Sequence, residues 1–117
     1  MKGGAIRDKS FEFAIRVVKL SRLLGETHRE YVLSKQLLRS GTSIGALVRE
    51  SAQAESKPDF IHKMAIALKE AQETGYRLEL LKETAYLDAA GFRSIQRDLL
   101  EIISLLTRII KTAKSRR

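Results

Sequence analysis

The chain has 117 residues, 44% hydrophobic and 31% charged, which is the length and balance of one folded domain and not of a disordered tail. It contains no cysteine, one proline and 7 glycines. That excludes disulfides, thiolate metal sites and a cysteine nucleophile, and leaves too few turn residues for a β-sandwich. Lys and Arg number 22 against 14 Asp and Glu, and the formal net charge of +8 points to a polyanionic partner more than to enzyme chemistry.

Residues 1–7 read as a flexible start. The first helical segment runs from about Asp8 to Leu24. Phe11, Ile15 and Val18, with Phe13, Val17, Leu20 and Leu24 beside them, recur at helical spacing, and Gly25 is a natural stop. The second segment, about Glu30 to Ala54, carries a seam of Leu33, Leu37, Ser40, Ile44, Leu47, Ser51 and Ala54. Gly41 and Gly45 share one of its faces. Glycine inside a helix costs about 1 kcal/mol relative to alanine, so the pair predicts the close approach of another backbone.

The third segment starts at Ser56-Lys57-Pro58-Asp59, where Ser56 is the expected N-cap and Pro58 fits only the first turn. Ile61, Met64, Leu68, Ala71, Gly75 and Leu78 continue a seam to about Glu83. Asp88 is the expected N-cap of the fourth helix, which reaches about Ala113. Its seam of Phe92, Ile95, Leu99, Ile102, Leu106, Ile109 and Ala113 has no fault, and Leu100, Ile103 and Ile110 form a second stripe. Four helices with short connections predict an all-α, antiparallel up-down-up-down bundle with Leu33, Leu37, Ile44, Leu68, Leu78, Leu99, Ile102 and Leu106 in its core. The second stripe predicts a homo-oligomer with Ile103 and Ile110 at or near the interface.

Chemistry finds little support. Neither His28 nor His62 follows a Glu by three residues, so no ferritin-like ligand set forms and no metal or other cofactor is expected. Glu70 with Glu73, and Glu79 with Glu83, share helix faces beside Lys69 and Lys82 and read as salt-bridged surface. Ser40, Ser43 and Ser51 lack a neighbouring base and read as close-packing residues bonded back to their own helix. Phosphate-binding glycine loops are absent. No apolar run approaches the roughly 18 residues of a membrane span, and a cysteine-free basic chain fits the cytoplasm.

Basic ribbons are the remaining signal. Arg16, Lys19 and Arg22 step along the first helix. Arg108, Lys111 and Lys114 run along the last into Arg116 and Arg117, a basic tail over 114–117. These residues are the expected contacts to phosphate backbones, RNA or DNA alike. With only three tyrosines and no tryptophan for base stacking, such binding would be tolerant of sequence.

The segment Gln36-Leu37-Leu38-Arg39-Ser40-Gly41-Thr42-Ser43-Ile44-Gly45-Ala46 resembles the second-helix signature of the bacterial four-helix-bundle proteins encoded in intervening sequences of large-subunit ribosomal RNA genes. Ser56, Asp59-Phe60-Ile61-His62-Lys63, Ala67-Leu68-Lys69-Glu70-Ala71 and Glu73-Thr74 resemble that family's third helix. The resemblance implies an antiparallel bundle assembled as a homopentamer. It also implies kinship with the accessory protein of diversity-generating retroelements, which partners a reverse transcriptase and binds nucleic acid. It carries no catalytic residues over. Leu47 stands where the pattern has a polar Asn, Arg49 where an acid is common and Arg77 where an aromatic is frequent. The chain is therefore expected to be a non-enzymatic, oligomeric nucleic-acid-binding protein. The alternative is an interaction scaffold or accessory subunit of a nucleic-acid enzyme.

Overall fold

The computed structural model describes residues 4–116, so the basic-tail residue Arg117 lies outside the described residues. Four helices follow in order: α1 (Gly4–His28), α2 (Val32–Ser51), α3 (Lys57–Glu83) and α4 (Ala89–Ser115). Among the described residues there is no strand. Residues 4–7, expected in a flexible start, form the first turn of α1. Lys114 and Ser115 complete the last turn of α4, and Arg116 is its C-cap.

Cross-helix contacts fix the directions. Ser40 and Arg39 of α2 meet Thr74 and Glu73 of α3, and Gln36 meets Arg77 further on, so one number rises as the other falls. Arg16 meets Asp98 and Lys9 meets Glu101, which sets α1 antiparallel to α4. Each helix packs on its chain neighbours, and α1 closes the ring against α4 along the least extensive seam. The bundle measures 50 × 21 × 19 Å.

The core departs from the sequence reading most on α1. Phe11, Ile15 and Val18, expected to lead the seam, are 51%, 41% and 37% exposed. The buried stripe is Ile6, Ser10, Phe13, Val17 and Leu24, again at steps of three and four. Two stripes of equal periodicity compete on this helix, and the one containing small Ser10 fits against the glycines of α2. A Cβ on Gly41 would lie 2.8 Å from both methyls of Val17, and one on Gly45 would lie 3.4 Å from the Ser10 carbonyl oxygen.

On α2 the buried line is Ser34, Leu37, Ser40, Gly41, Ile44, Val48 and Ser51. Leu33 and Leu47 fall one residue aside and are half-buried, and Ala54 lies in the turn after the helix. On α3, Met64, Ala67, Ala71, Thr74, Leu78 and Leu81 are buried, while Ile61, Leu68 and Gly75 sit half-buried beside them. Thr74 Oγ1 lies 3.0 Å from Ser40 Oγ at the α2–α3 contact, and it also donates to the Glu70 carbonyl at 2.8 Å. Polar residues therefore enter the seam wherever their hydroxyls have a partner. On α4 the expected residues Phe92, Ile95, Leu99, Ile102 and Leu106 are buried, and Ile109 and Ala113, the end of the expected seam, are half-buried. Of the eight expected core residues, Leu33 and Leu68 alone are only partly buried.

The helix ends follow local chemistry. Gly25 does not stop α1, which continues to His28. A Cβ at Gly25 would lie 2.9 Å from the Tyr31 ring, so this glycine admits the returning chain. The reversal is made at Arg29, whose φ of 54° is left-handed and whose N–H bonds to the Gly25 carbonyl. Ala85, φ 70°, closes α3 in the same way, with Tyr86 N–H bonded to the Leu81 carbonyl at 2.9 Å. At the start of α3, Ser56 accepts from the Asp59 N–H at 3.2 Å, and Asp59 reaches back to accept from the Glu55 N–H at 3.1 Å. That backbone bond, with Lys63 beside it, holds the Asp59 carboxyl below the usual carboxylate range.

The α1–α2 contact generates a prediction. Gly41→Ala gains about 1 kcal/mol of helix propensity. It nevertheless drives a methyl into Val17, and the expected net loss is about 1–2 kcal/mol in urea unfolding. Val17→Ala in the same chain should recover most of that loss. Gly45→Ala, which meets only an ordinary contact, should leave stability unchanged or raise it.

Candidate nucleic-acid interface

The outer face of α4 is basic along its length. Helical geometry places Arg93, Arg97, Leu100, Ser104, Arg108 and Lys111 on one side, opposite the buried seam. All but Ser104 and Leu100 carry positive charge, and all six are exposed. Arg93 to Lys111 spans roughly 27 Å, or about eight base steps along one strand of a duplex.

Of the two acids of this helix, Asp98 lies off that face, and Glu101 borders it beside Arg97, Ser104 and Arg108. Asp98 accepts from Arg16 Nη1 at 2.6 Å, and Arg16 also donates to the Ser94 carbonyl at 3.3 Å and to Ser94 Oγ at 3.0 Å. Glu101 pairs with Lys9 at 3.6 Å. The α1–α4 seam thus neutralises both acids of α4. Among the described residues, Lys19, Arg22, Arg93, Arg97, Arg108, Lys111, Lys114 and Arg116 make no ion pair.

The residues expected to bind phosphate do not form one patch. Arg16 is half-buried and held by α4. Lys19 and Arg22 are exposed near the start of α4, where Lys19, Leu20, Leu23, Leu87 and Gly91 border a shallow groove. Arg108, Lys111, Lys114 and Arg116 are exposed at the opposite end, roughly 30 Å away by helix rise. Arg93 and Arg97, which the sequence reading passed over, bridge the gap. Their signal was the run of seven- and four-residue steps linking them to Arg108 and Lys111; Asp98 and Glu101 obscured it.

Other candidate groups have structural partners. Ser43 and Ser51 donate to the carbonyls of Arg39 and Val48 at 2.6 Å, and Ser40 to that of Leu37 at 3.5 Å. Glu70 and Glu73 both face Arg39 of α2, at 3.4 and 3.3 Å, in place of Lys69. Lys82 pairs with Glu83 at 3.3 Å, not with Glu79. His28 packs edge-on against Tyr86 with ring centres 5.4 Å apart, and His62 lies on α3. The two arginines that depart from the family pattern are engaged: Arg49 lies 5.0 Å over the Phe11 ring, and Arg77 donates to Gln36 Oε1 at 2.9 Å. Ile103 and Ile110 are half-buried against the core, while Leu100 is 54% exposed. No helix among the described residues is long and apolar enough to cross a membrane.

Fold and surface together define a small all-α bundle with one basic helix face. Residues 4–108 match the family described as 23S rRNA-intervening sequence protein, and the chain belongs to that family. It is also similar to a crystal structure of a protein of unknown function from the S23 ribosomal protein family of Bacteroides thetaiotaomicron. The two share 54% identity and superpose with a TM-score of 0.91, over 92% of this chain and 99% of that one. A comparison with curated proteins finds no match.

The Arg16 clasp is testable by a double-mutant cycle with Arg16→Ala and Asp98→Ala. The two side chains are 40% and 41% exposed, so a coupling of only about 0.5–1 kcal/mol is expected, shrinking in high salt. Arg16→Ala should cost more than Asp98→Ala because it also removes the bonds to Ser94.

Proposed function

We propose that this chain is a non-enzymatic, cytoplasmic nucleic-acid-binding protein that uses the outer face of α4 to follow a phosphate backbone. The observation that carries this reading is the balance of charge on α4: both acids are paired with cations of α1, leaving the arginines and lysines of the outer face without an ion pair among the described residues. The family's tie to ribosomal RNA genes supports RNA as the first ligand to try. Phosphate contacts carry no base information, so binding discriminates little between sequences and weakens steeply with salt.

The test is a titration of labelled RNA and DNA duplexes and single strands across several salt concentrations. Replacing Arg93 and Arg97 by Ala, or Arg108 and Lys111 by Ala, should weaken binding to all sequences alike. It should also flatten the salt slope by about one unit for each phosphate that is no longer neutralised. Arg16→Ala should lower stability and, by freeing Asp98, weaken binding by less than either pair of outer-face substitutions. Failure to bind at low salt would turn the reading to an interaction scaffold or an accessory subunit of a nucleic-acid enzyme.

Homo-oligomerisation is a second part of the reading, with a pentamer expected from the family resemblance. Phe11, Ile15 and Val18 support it, as an apolar stripe left in water on α1, with Leu23 a turn further on, 54% exposed. Because Ile103 and Ile110 are largely spent on the core, the α1 stripe is the better interface. Ile15→Asp should lower the mass seen by light scattering to that of a monomer while helicity is kept. An oligomer unaffected by Ile15→Asp and Phe11→Asp would place the interface elsewhere.

A further inference from the structure

One end of the bundle is not filled. Between the start of α1, the α2–α3 turn and the end of α4 lies an open pocket of about 690 Å³. Its walls are Ile6, Phe60, Met64, Leu105 and Ile109. The cause is in the sequence: Gly4, Ala5, Ala52 and Ala54 bring no side chain large enough to fill the mouth. The floor is closed, since Ile6 and Met64 are 4% and 1% exposed.

The interior is mostly apolar, with the hydroxyls of Ser51 and Ser56 as its side-chain polar groups. The Ser51 hydroxyl is already donated to the Val48 carbonyl at 2.6 Å, and Ser56 Oγ is occupied by the Asp59 N–H. Glu55, on the turn, is the acid of the rim. On the α4 side the pocket runs into a groove that shares Phe60, Leu105 and Ile109 and adds Arg108 and Arg116. Both arginines are exposed and without an ion pair among the described residues.

We propose that this pocket binds a free, single-chain anionic amphiphile, a medium-chain carboxylate, with its aliphatic tail against Phe60, Met64, Leu105 and Ile109 and its carboxylate held by Arg108 and Arg116. Volume and closed depth fit a small ligand and not a helix or strand of another protein. A mostly apolar interior suits an aliphatic tail. The guanidinium groups of Arg108 and Arg116, which line the adjoining groove, favour a carboxylate over an uncharged head. The tail-binding part contains no residue of the α4 outer face, and Arg108, at the head, is shared with it.

The experiment is a titration of the full chain with octanoate, decanoate, dodecanoate and dodecanol, below their aggregation limits, by calorimetry. Saturable binding of the carboxylates should tighten about fourfold for each added methylene until the pocket is full. Arg108→Ala with Arg116→Ala should weaken dodecanoate about fivefold, the scale of one exposed ion pair, and leave dodecanol unchanged. Ala54→Phe, which fills the pocket, should abolish binding with helicity retained. If that variant does not fold, Ala5→Leu is the replacement. Dodecanol binding as tightly as dodecanoate, no saturation, or binding that survives a folded pocket-filling variant would overturn the proposal.

Discussion

The contact of α1 with the two glycines of α2 sets the rest of the bundle. Gly41 receives Val17, and Gly45 lies against the Ser10 backbone. At Gly41, where a Cβ would lie 2.8 Å from Val17, an interior packed to crystal density leaves no room for an added methyl. The contact therefore fixes the rotation of α1 about its own axis. That rotation sends Phe13, Val17 and Leu24 inward and leaves Phe11, Ile15 and Val18 facing water. It also aims Arg16 and Lys9 at α4.

The second consequence concerns charge. Along the α1–α4 seam, two cations of α1 take up the two acids that lie within α4. These pairs are exposed and contribute little to stability. Their larger effect is on the surface: they offset both acids, including Glu101 at the border of the outer face, so that face keeps a net positive charge. An interface that follows phosphates needs that net charge more than it needs any single arginine, because its affinity comes from many equivalent counterion releases.

The family assignment and the geometry meet at the second and third helices. The segment Gln36–Ala46, whose pattern carried the resemblance, supplies the glycines of the α1–α2 contact and Ser40, which meets Thr74 of α3. That signature is thus a packing code for the fold. The departures at Arg49 and Arg77 fit it as well, since each arginine finds a partner across the groove, in Phe11 and Gln36.

Sequence alone determined the number of helices, their order, the caps at Ser56 and Asp88 and the whole buried line of α4. These depend on local periodicity and on side chains that bond within their own turn. The site was legible as residue types but not as a surface. Arg16 and Lys19 look alike in one dimension, and only the neighbouring helix makes the first a clasp and leaves the second free. Arg93 and Arg97 were hidden because two acids stand between them and the C-terminal cluster, and charge along a sequence does not reveal which way it points. The choice between the two stripes of α1 belonged to tertiary structure for the same reason. Equal spacing gives equal amphipathicity, and what separates the stripes is the shape of the opposing helix, where two missing side chains admit one face and not the other.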